Sequence, residues 1–361
     1  MAPTRFDVTS GASRYPVRIA WGLLGRLGST LARLKLGDQR FVVSNPLVWR
    51  VHGPALQAAL PGIKPILVPD GERFKHTQTV GRIYDALIRD DADRSAVVLA
   101  FGGGVIGDTA GFAAATYLRG IALVQVPTTL LAQVDSAVGG KVGVNHELGK
   151  NLIGAFYPPK LVAIDPSLLD TLHRREFRSG LYEVLKYGMI ASPALFARLE
   201  RRLDAIFART RRALLPIIEE SCRIKGRVVS EDERESGSRR VLNFGHTVGH
   251  ALEAITRYRR FRHGEAIAYG MLAATEIAVA RQACPAAVRD ALAALITQMG
   301  PLPPLADLSI TASLQAIRRD KKVLRGTLHV VLPTAIGATT IVSDVHTREI
   351  TRALKTLGMR R

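Results

Sequence analysis

Only two cysteines, Cys222 and Cys284, occur in this chain of 361 residues, and they form no C-x-x-C pair. That excludes a disulfide framework and favours a reducing, cytoplasmic setting. No run of about 18 uncharged apolar residues is present, so no membrane span is expected. The longest candidate, 266–280, is interrupted by Glu276 and reads as a buried core helix. The opening MAPTRFDVTSGASRYP lacks the apolar stretch of a secretory signal. Internal repeats and low-complexity tracts are also missing. Acidic residues are in deficit, 31 against 50 basic ones, for a net charge of +19. Such an excess is one signature of nucleic-acid binding, and Arg257-Tyr258-Arg259-Arg260-Phe261-Arg262 interleaves rings with guanidinium groups. The basic residues are nevertheless spread along the whole chain. A solvated basic surface, compatible with a small anionic substrate, is the expectation, with no nucleic-acid partner.

What is present is a hydrophobic fraction of 47%, enough for a sizeable core, in a length that suits two domains. Residues 15–20 read as a strand with 5–8 as its hairpin partner. Strands follow at 40–43, 63–68, 96–101, 121–126 and 161–164, alternating with helical patterns at 23–34, 46–60, 77–88 and 107–117. The run AVVLAF at 96–101 is apolar throughout, as a parallel strand buried on both faces must be. This β-α-β-α order predicts a doubly wound parallel sheet. From Arg174 onward the pattern is mostly helical. The expected division is 1–172 for a doubly wound α/β domain and 173–361 for an all-α domain.

Three stretches carry chemistry. Gly102-Gly103-Gly104-Val105-Ile106-Gly107-Asp108 contains G-x-G-x-x-G after a strand and before a helix, the context of a dinucleotide phosphate cradle. No acid ends a strand about 20 residues later, so the ordinary ribose contact is missing. Residues 126–159 set Thr128, Thr129, Asp135, Lys141, Asn145, Lys150 and Asn151 among glycines and prolines, a loop-rich composition suited to ligand contacts. Leu242–Glu265 gathers His246, His250 and His263 with Glu253 and Glu265. Imidazoles and carboxylates at this density suit a divalent metal or acid–base chemistry near neutral pH. His246 and His250 stand i, i+4, so spacing alone pairs them on one helical face.

These residues, with Pro69–Lys75, Tyr117-x-Arg119-Gly120, REFRSG at 175–180, Glu183-x-x-Lys186-Tyr187-Gly188, the 232–243 run, NFGHTVGH at 243–250, HGEA at 263–266 and Asp320-Lys321-Lys322, occur in the order of a known family. Over essentially its full length the chain resembles 3-dehydroquinate synthases of the sugar-phosphate cyclase superfamily. The resemblance implies a Rossmann-like NAD domain followed by a helical metal and substrate domain. It implies a phosphorus–oxygen lyase of the shikimate pathway, in aromatic amino acid biosynthesis. The substrate is then 3-deoxy-D-arabino-heptulosonate 7-phosphate and the products 3-dehydroquinate and phosphate. The implied sequence is transient oxidation at C5 by NAD, phosphate β-elimination, re-reduction, ring opening and intramolecular aldol closure. A sister cyclase making an amino-dehydroquinate, an inosose or a valiolone is the alternative.

Carried over residue by residue, the resemblance assigns one divalent ion, zinc or cobalt, to Glu183, His246 and His263. It moves His250 from the metal to proton transfer, with Glu235 as companion and Lys141, Arg239 and Asn243 completing the catalytic set. NAD falls to Asn45, Glu72, Lys75, Gly103, Gly104, Val105, Asp108, Thr128, Thr129 and Lys150. Substrate groups fall to Asp135, Lys141, Asn151, Lys186, Lys225, Arg239, Asn243, His250 and Lys322. Arg119 is expected to reach across a homodimer interface. The chain departs from the family pattern at Tyr182, usually Ala beside the metal-binding Glu, at the bulky Tyr269, and in lacking an acid near Val43.

Overall fold

The computed structural model describes residues 4–235, 237–319, 323–324 and 327–360. The chain divides into two units, Met1–His173 with Leu214–Glu233, and Arg174–Ala213 with Arg234–Arg361.

The first unit is built on a seven-stranded sheet. Its strands are β1 (Thr4–Ser10), β2 (Ser13–Ile19), β3 (Arg40–Ser44), β4 (Lys64–Leu67), β5 (Val97–Gly102), β6 (Ala122–Pro127) and β9 (Leu161–Ile164). They lie in the order β1-β2-β9-β6-β5-β3-β4, and only the β1–β2 pair is antiparallel. Helices α1 (Leu27–Arg33), α2 (Pro46–Ala59), α3 (Thr77–Arg89) and α4 (Gly104–Thr116) connect them. Alternation along β5 sends Val97, Leu99 and Phe101 into one apolar cluster, with Leu27, Leu31 and Leu56. It sends Val98 and Ala100 into another, with Ile83, Leu87 and Ala110. A strand buried on both faces cannot show the polar alternation of an exposed one, which is why 96–101 is continuously apolar. Each fully buried large side chain contributes about 1.5–3 kcal/mol.

The strand order fixes where a ligand fits. From β3 the chain steps outward to β4, then returns to the other side of β3 to form β5, and continues through β6 to β9. The reversal falls between β3 and β5, and crevices at the carboxyl ends of such reversals receive ligands in α/β sheets.

Two expectations need correction here. The stretch 126–159 is not mainly loop. It holds a π-helical turn at Ala132–Ser136 and an antiparallel hairpin, β7 (Lys141–His146) with β8 (Gly149–Phe156). Its glycines disguise the strands: a Cβ on Gly143 or Gly154 would lie 2.6 or 2.4 Å from a carbonyl oxygen of the opposing strand. Helix α4 starts at Gly104 rather than Gly107, so the glycine run is the helix's own first turn.

The second unit is mostly helical, with α5 (Arg174–Ala191), α6 (Pro193–Phe207), α8 (His246–Ile255), α9 (His263–Ala280), α10 (Ala286–Met299), α11 (Ile310–Arg319) and α12 (Thr347–Thr356). The long α7 (Arg211–Glu231) groups with the first unit from Leu214 onward. Short strands β10 (Val323–Leu324) and β11 (Thr327–Leu328) pair, and β12 (Val330–Ala335) pairs with β13 (Ala338–Val342). These hairpins are absent from the all-α expectation. Helix α5 is buried from Ser179 through Ile190 on every face, so its charged residues must find partners inside. No helix among the described residues is long and apolar enough to cross a membrane.

Candidate active site

The cofactor candidates of the first unit collect at strand ends. Asn45 follows β3 and caps α2, its Oδ1 accepting from the Val48 N–H at 2.8 Å. Glu72 and Lys75 follow β4, Gly103 and Gly104 follow β5, and Thr128 and Thr129 follow β6. The Thr128 N–H donates to the Gly102 carbonyl at 2.9 Å, holding two of these turns together. The glycines matter for clearance: a Cβ on Gly103 would lie 3.2 Å from Thr129 Cγ2, and one on Gly104 3.1 Å from Ser136 Oγ. Their bare backbone opens the first turn of α4, including Val105, where unpaired N–H groups favour an anion. A dinucleotide's pyrophosphate fits this chemistry.

A polar network lies beside the cradle. Buried Lys75 donates from Nζ to Asp108 Oδ2 and Asn151 Oδ1, each at 2.5 Å. Asn145 Nδ2 donates to Glu72 Oε1 at 2.8 Å, and Asn145 Oδ1 accepts from the Asn151 N–H at 2.9 Å. Lys150 Nζ stands 3.6 Å from Glu72 Oε1. Asn151, expected on the substrate, is thus joined directly to Lys75, expected on the nucleotide. Asn151 sits at φ 51° in the left-handed region, which Asn tolerates better than most residues. Two further substrate candidates meet each other: Lys225 Nζ donates to Asp135 Oδ1 at 2.7 Å and to its carbonyl at 2.5 Å. Lys141 opens β7 with an exposed side chain. Exposed Arg119 follows Leu118, and both have positive φ, 65° and 47°.

In the second unit α8 and α9 form an antiparallel hairpin. Gly245, at φ +79°, turns the chain into α8 just before His246, and a Cβ on Gly270 would fall 1.7 Å from the Gly245 carbonyl oxygen. Only glycine allows that approach. His246 near the start of α8 and His263 at the start of α9 reach each other through their side chains, with ring centroids 5.4 Å apart. Glu183 of α5 completes the cluster. Its Oε1 lies 3.7 Å from His263 Nε2 and 3.9 Å from His246 Nε2. Donor atoms of all three residues lie within 4.8 Å of one another. Zinc donors at ~2.1 Å in a tetrahedron stand about 3.4 Å apart, so these separations are only slightly wide for one ion.

The hydrogen bonds also suit a cation. Fully buried Glu183 has no hydrogen-bond partner for Oε1 among the described residues, and Oε2 forms an ion pair with Lys186. His246 Nδ1 is 3.1 Å from the Phe244 carbonyl, which can only accept, so Nδ1 carries the proton and Nε2 the lone pair. His263 Nδ1 is 3.2 Å from Glu253 Oε2, with the same consequence. Both Nε2 atoms turn toward the buried carboxylate, the arrangement a divalent ion requires.

His250 lies beside this cluster. The His250 ring lies 5.2 Å from that of His246 and 6.0 Å from that of His263, centroid to centroid. His250, Glu253 and His263 make a second group of closely spaced donors. Glu235, at φ 59°, accepts from Asn243 Nδ2, pairing two expected catalytic residues with each other. Arg239 is buried. Lys321 and Lys322 lie outside the described residues. Tyr182 is fully buried, its Oη has no hydrogen-bond partner among the described residues, and burial pushes its phenol upward.

Sequence reasoning named three supporting groups only as members of a ligand-rich stretch, without their partners. Asn145 ties Glu72 to Asn151. Glu253 stands against His263, and its i+7 spacing from His246 was the available signal. Glu265 is buried and takes both ends of Arg175 at 2.7 Å, a bond from Arg178 and the Arg262 N–H at the start of α9. Burial alone would raise its pKa, but these bonds hold the carboxyl below the usual range. Helix α9, and His263 with it, is thereby anchored to α5.

Comparison with known proteins agrees with this geometry. Residues 65–179 match the family model for the 3-dehydroquinate synthase N-terminal region, and 180–323 the model for its C-terminal region. A 3-dehydroquinate synthase from Picosynechococcus sp. (strain PCC 7002) is 47% identical over 360 residues, covering 98% of each chain. Among solved structures, a 2-epi-5-epi-valiolone synthase from Streptomyces hygroscopicus subsp. jinggangensis with bound NAD+ and Zn2+ has a TM-score of 0.88 at 30% identity, covering 98% of this chain and 99% of that one. A 2-deoxy-scyllo-inosose synthase complexed with carbaglucose-6-phosphate, NAD+ and Co2+ has the same TM-score at 26% identity and the same coverage. With both regional models matched in order and a relative this similar along its full length, the chain belongs to the 3-dehydroquinate synthase family.

Proposed function

We infer that this chain converts 3-deoxy-D-arabino-heptulosonate 7-phosphate to 3-dehydroquinate and phosphate, with NAD and one divalent metal. The observation that carries the reading is the buried Glu183 carboxylate facing the two lone-pair nitrogens of His246 and His263. The 47% identity to 3-dehydroquinate synthases favours this substrate over those of the sister cyclases, which are more distant at 30% and 26%.

Glu183, His246 and His263 would hold the ion, and the strand-end turns at Asn45, Glu72, Lys75, Gly103–Val105, Thr128 and Thr129, with Asp108 of α4 and Lys150 of β8, would hold NAD. When bound, these groups supply Lewis-acid polarisation of a substrate oxygen and a reversible hydride acceptor. The chain's own side chains do the rest. His250 moves protons at the substrate hydroxyls, with Glu235 as its companion. Lys141, Lys186, Lys225, Arg239 and Lys322 offset the carboxylate and phosphate, while Asp135, Asn151 and Asn243 orient hydroxyls. The functional division at residue 172 places nucleotide groups before it and metal groups after it.

The homodimer belongs to this proposal. Leu118 and Arg119 form an exposed left-handed pair, and such backbone costs of order 1–3 kcal/mol per residue unless something compensates. The hairpin β7–β8 exposes Leu148, Leu152 and Phe156 at 87%, 53% and 45%. An apolar ribbon this open suits burial against a second copy, with Arg119 reaching its phosphate site. A cytoplasmic setting accords with two buried thiols outside any disulfide.

The test is phosphate release from the heptulosonate phosphate, with and without chelator. The expected result is metal-dependent release with no net NADH. Turnover of sedoheptulose 7-phosphate or glucose 6-phosphate in place of the heptulosonate phosphate would sink the assignment.

A further inference from the structure

Helices α8 and α9 meet in one antiparallel register. Gly245 lies against Gly270, Gly249 against Ala266, and one turn further Glu253 against His263. The glycine contacts set the spacing, so Glu253 arrives opposite the imidazole as a consequence of the helix crossing. Its side chain is buried, 5% exposed, and its Oε2 lies 3.2 Å from His263 Nδ1. A buried carboxylate needs a proton donor, and a ring whose Nδ1–H points at it has one nitrogen committed.

We propose that Glu253 is the positioning carboxylate of the metal centre: it accepts a hydrogen bond from the Nδ1–H of His263 and thereby fixes both ring orientation and the tautomer that presents Nε2 toward Glu183. This rests on the reading that Glu183, His246 and His263 hold the ion. The carboxylate also makes the imidazole a stronger base toward a cation. The two histidines differ in this respect, since the Nδ1 acceptor of His246 is the neutral Phe244 carbonyl. Glu253 therefore stands behind a ligand rather than on the ion, although it shares a donor cluster with His250 and His263.

The test measures Co2+ and Zn2+ dissociation constants on purified full-length protein by chelator competition, for the native chain, Glu253→Gln and His250→Ala. Glu253→Gln keeps the shape and loses the charge. We expect it to weaken metal ~10–100-fold, to change the visible Co2+ spectrum, and to leave the melting temperature of the metal-free protein unaltered. His250→Ala should retain native affinity. Equal loss in both variants would make Glu253 a ligand of the other cluster and overturn the proposal. Native affinity in Glu253→Gln would overturn it too. A native chain that binds neither ion overturns the underlying metal reading as well, a result distinct from either variant outcome. Nitrogen NMR of the native, metal-free protein covers the case in which Glu253→Gln does not fold. His263 should be protonated at Nδ1, and protonation at Nε2 would refute the assignment.

Discussion

The proposed metal cluster and the proposed nucleotide cradle are built on opposite plans. Around Glu183, His246 and His263 the working atoms are side-chain tips, each held by one or two specific bonds on three helices. Around Gly103 and Gly104 the working surface is backbone at the ends of parallel strands, and what matters is the absence of side chains. A site made of a few donor atoms fails when one is removed. A site made of shape degrades as it is filled, because several turns share the load.

The largest effect should come from the metal side. Glu183→Ala removes the one charged donor and leaves Lys186 without its ion-pair partner. Loss of several kcal/mol of Lewis-acid stabilisation corresponds to roughly a thousandfold or more in rate. Phosphate-release kinetics with metal analysis should show both lost while NAD titration stays unchanged. Next comes Gly104→Val, whose branched side chain would press on Ser136 Oγ and fill the cradle. Overpacking of about 1–3 kcal/mol predicts NAD binding weakened about tenfold to a hundredfold, with metal content intact. Equal damage to metal and NAD binding in either variant would break the contrast.

Asn145→Ala should act more mildly on the cradle. It removes the bridge between Glu72 and Asn151, and one or two hydrogen bonds of about 1 kcal/mol each would raise the apparent NAD constant roughly tenfold, read by fluorescence titration. An unchanged constant would restrict Asn145 to a local hairpin role. The smallest effect concerns how α12 is tied to α9. Hydrogen bonds from Arg281 lower the Glu349 pKa from 4.5 to about 2, against a smaller opposing effect of burial. A depressed carboxylate contributes stability above its unfolded pKa and loses it as pH falls toward the folded value. Between pH ~5 and pH ~3 the native chain should therefore lose more thermal stability than Glu349→Gln does. Parallel melting curves for the two would remove this ion pair from the account.

The two plans also differ in how they appear in sequence. G-x-G-x-x-G after an apolar run marks the cradle because its function is the missing side chains. The strands of 141–156 were hidden for the same reason: their glycines, needed for close strand approach, mimic a loop. The histidines were visible, but their division of labour was not. Spacing alone paired His246 with His250, whereas the structure faces His246 and His263 toward Glu183, some sixty residues upstream. The resemblance supplied that assignment, and periodicity had no means of reaching it. The partners of Asn145, Glu253 and Glu265 escaped because they depend on which residue stands opposite.

By itself the sequence determined the alternation of strands and helices, the buried parallel sheet, the glycine cradle and the inventory of imidazoles, carboxylates and cations. Local periodicity and residue chemistry suffice for those. Only the tertiary structure decided which nitrogen of each histidine faces Glu183, that Asn151 bonds Lys75, and that Glu253 lies behind His263. These are contacts between segments distant in the chain, set by helix crossing and strand order, and no local spacing encodes them.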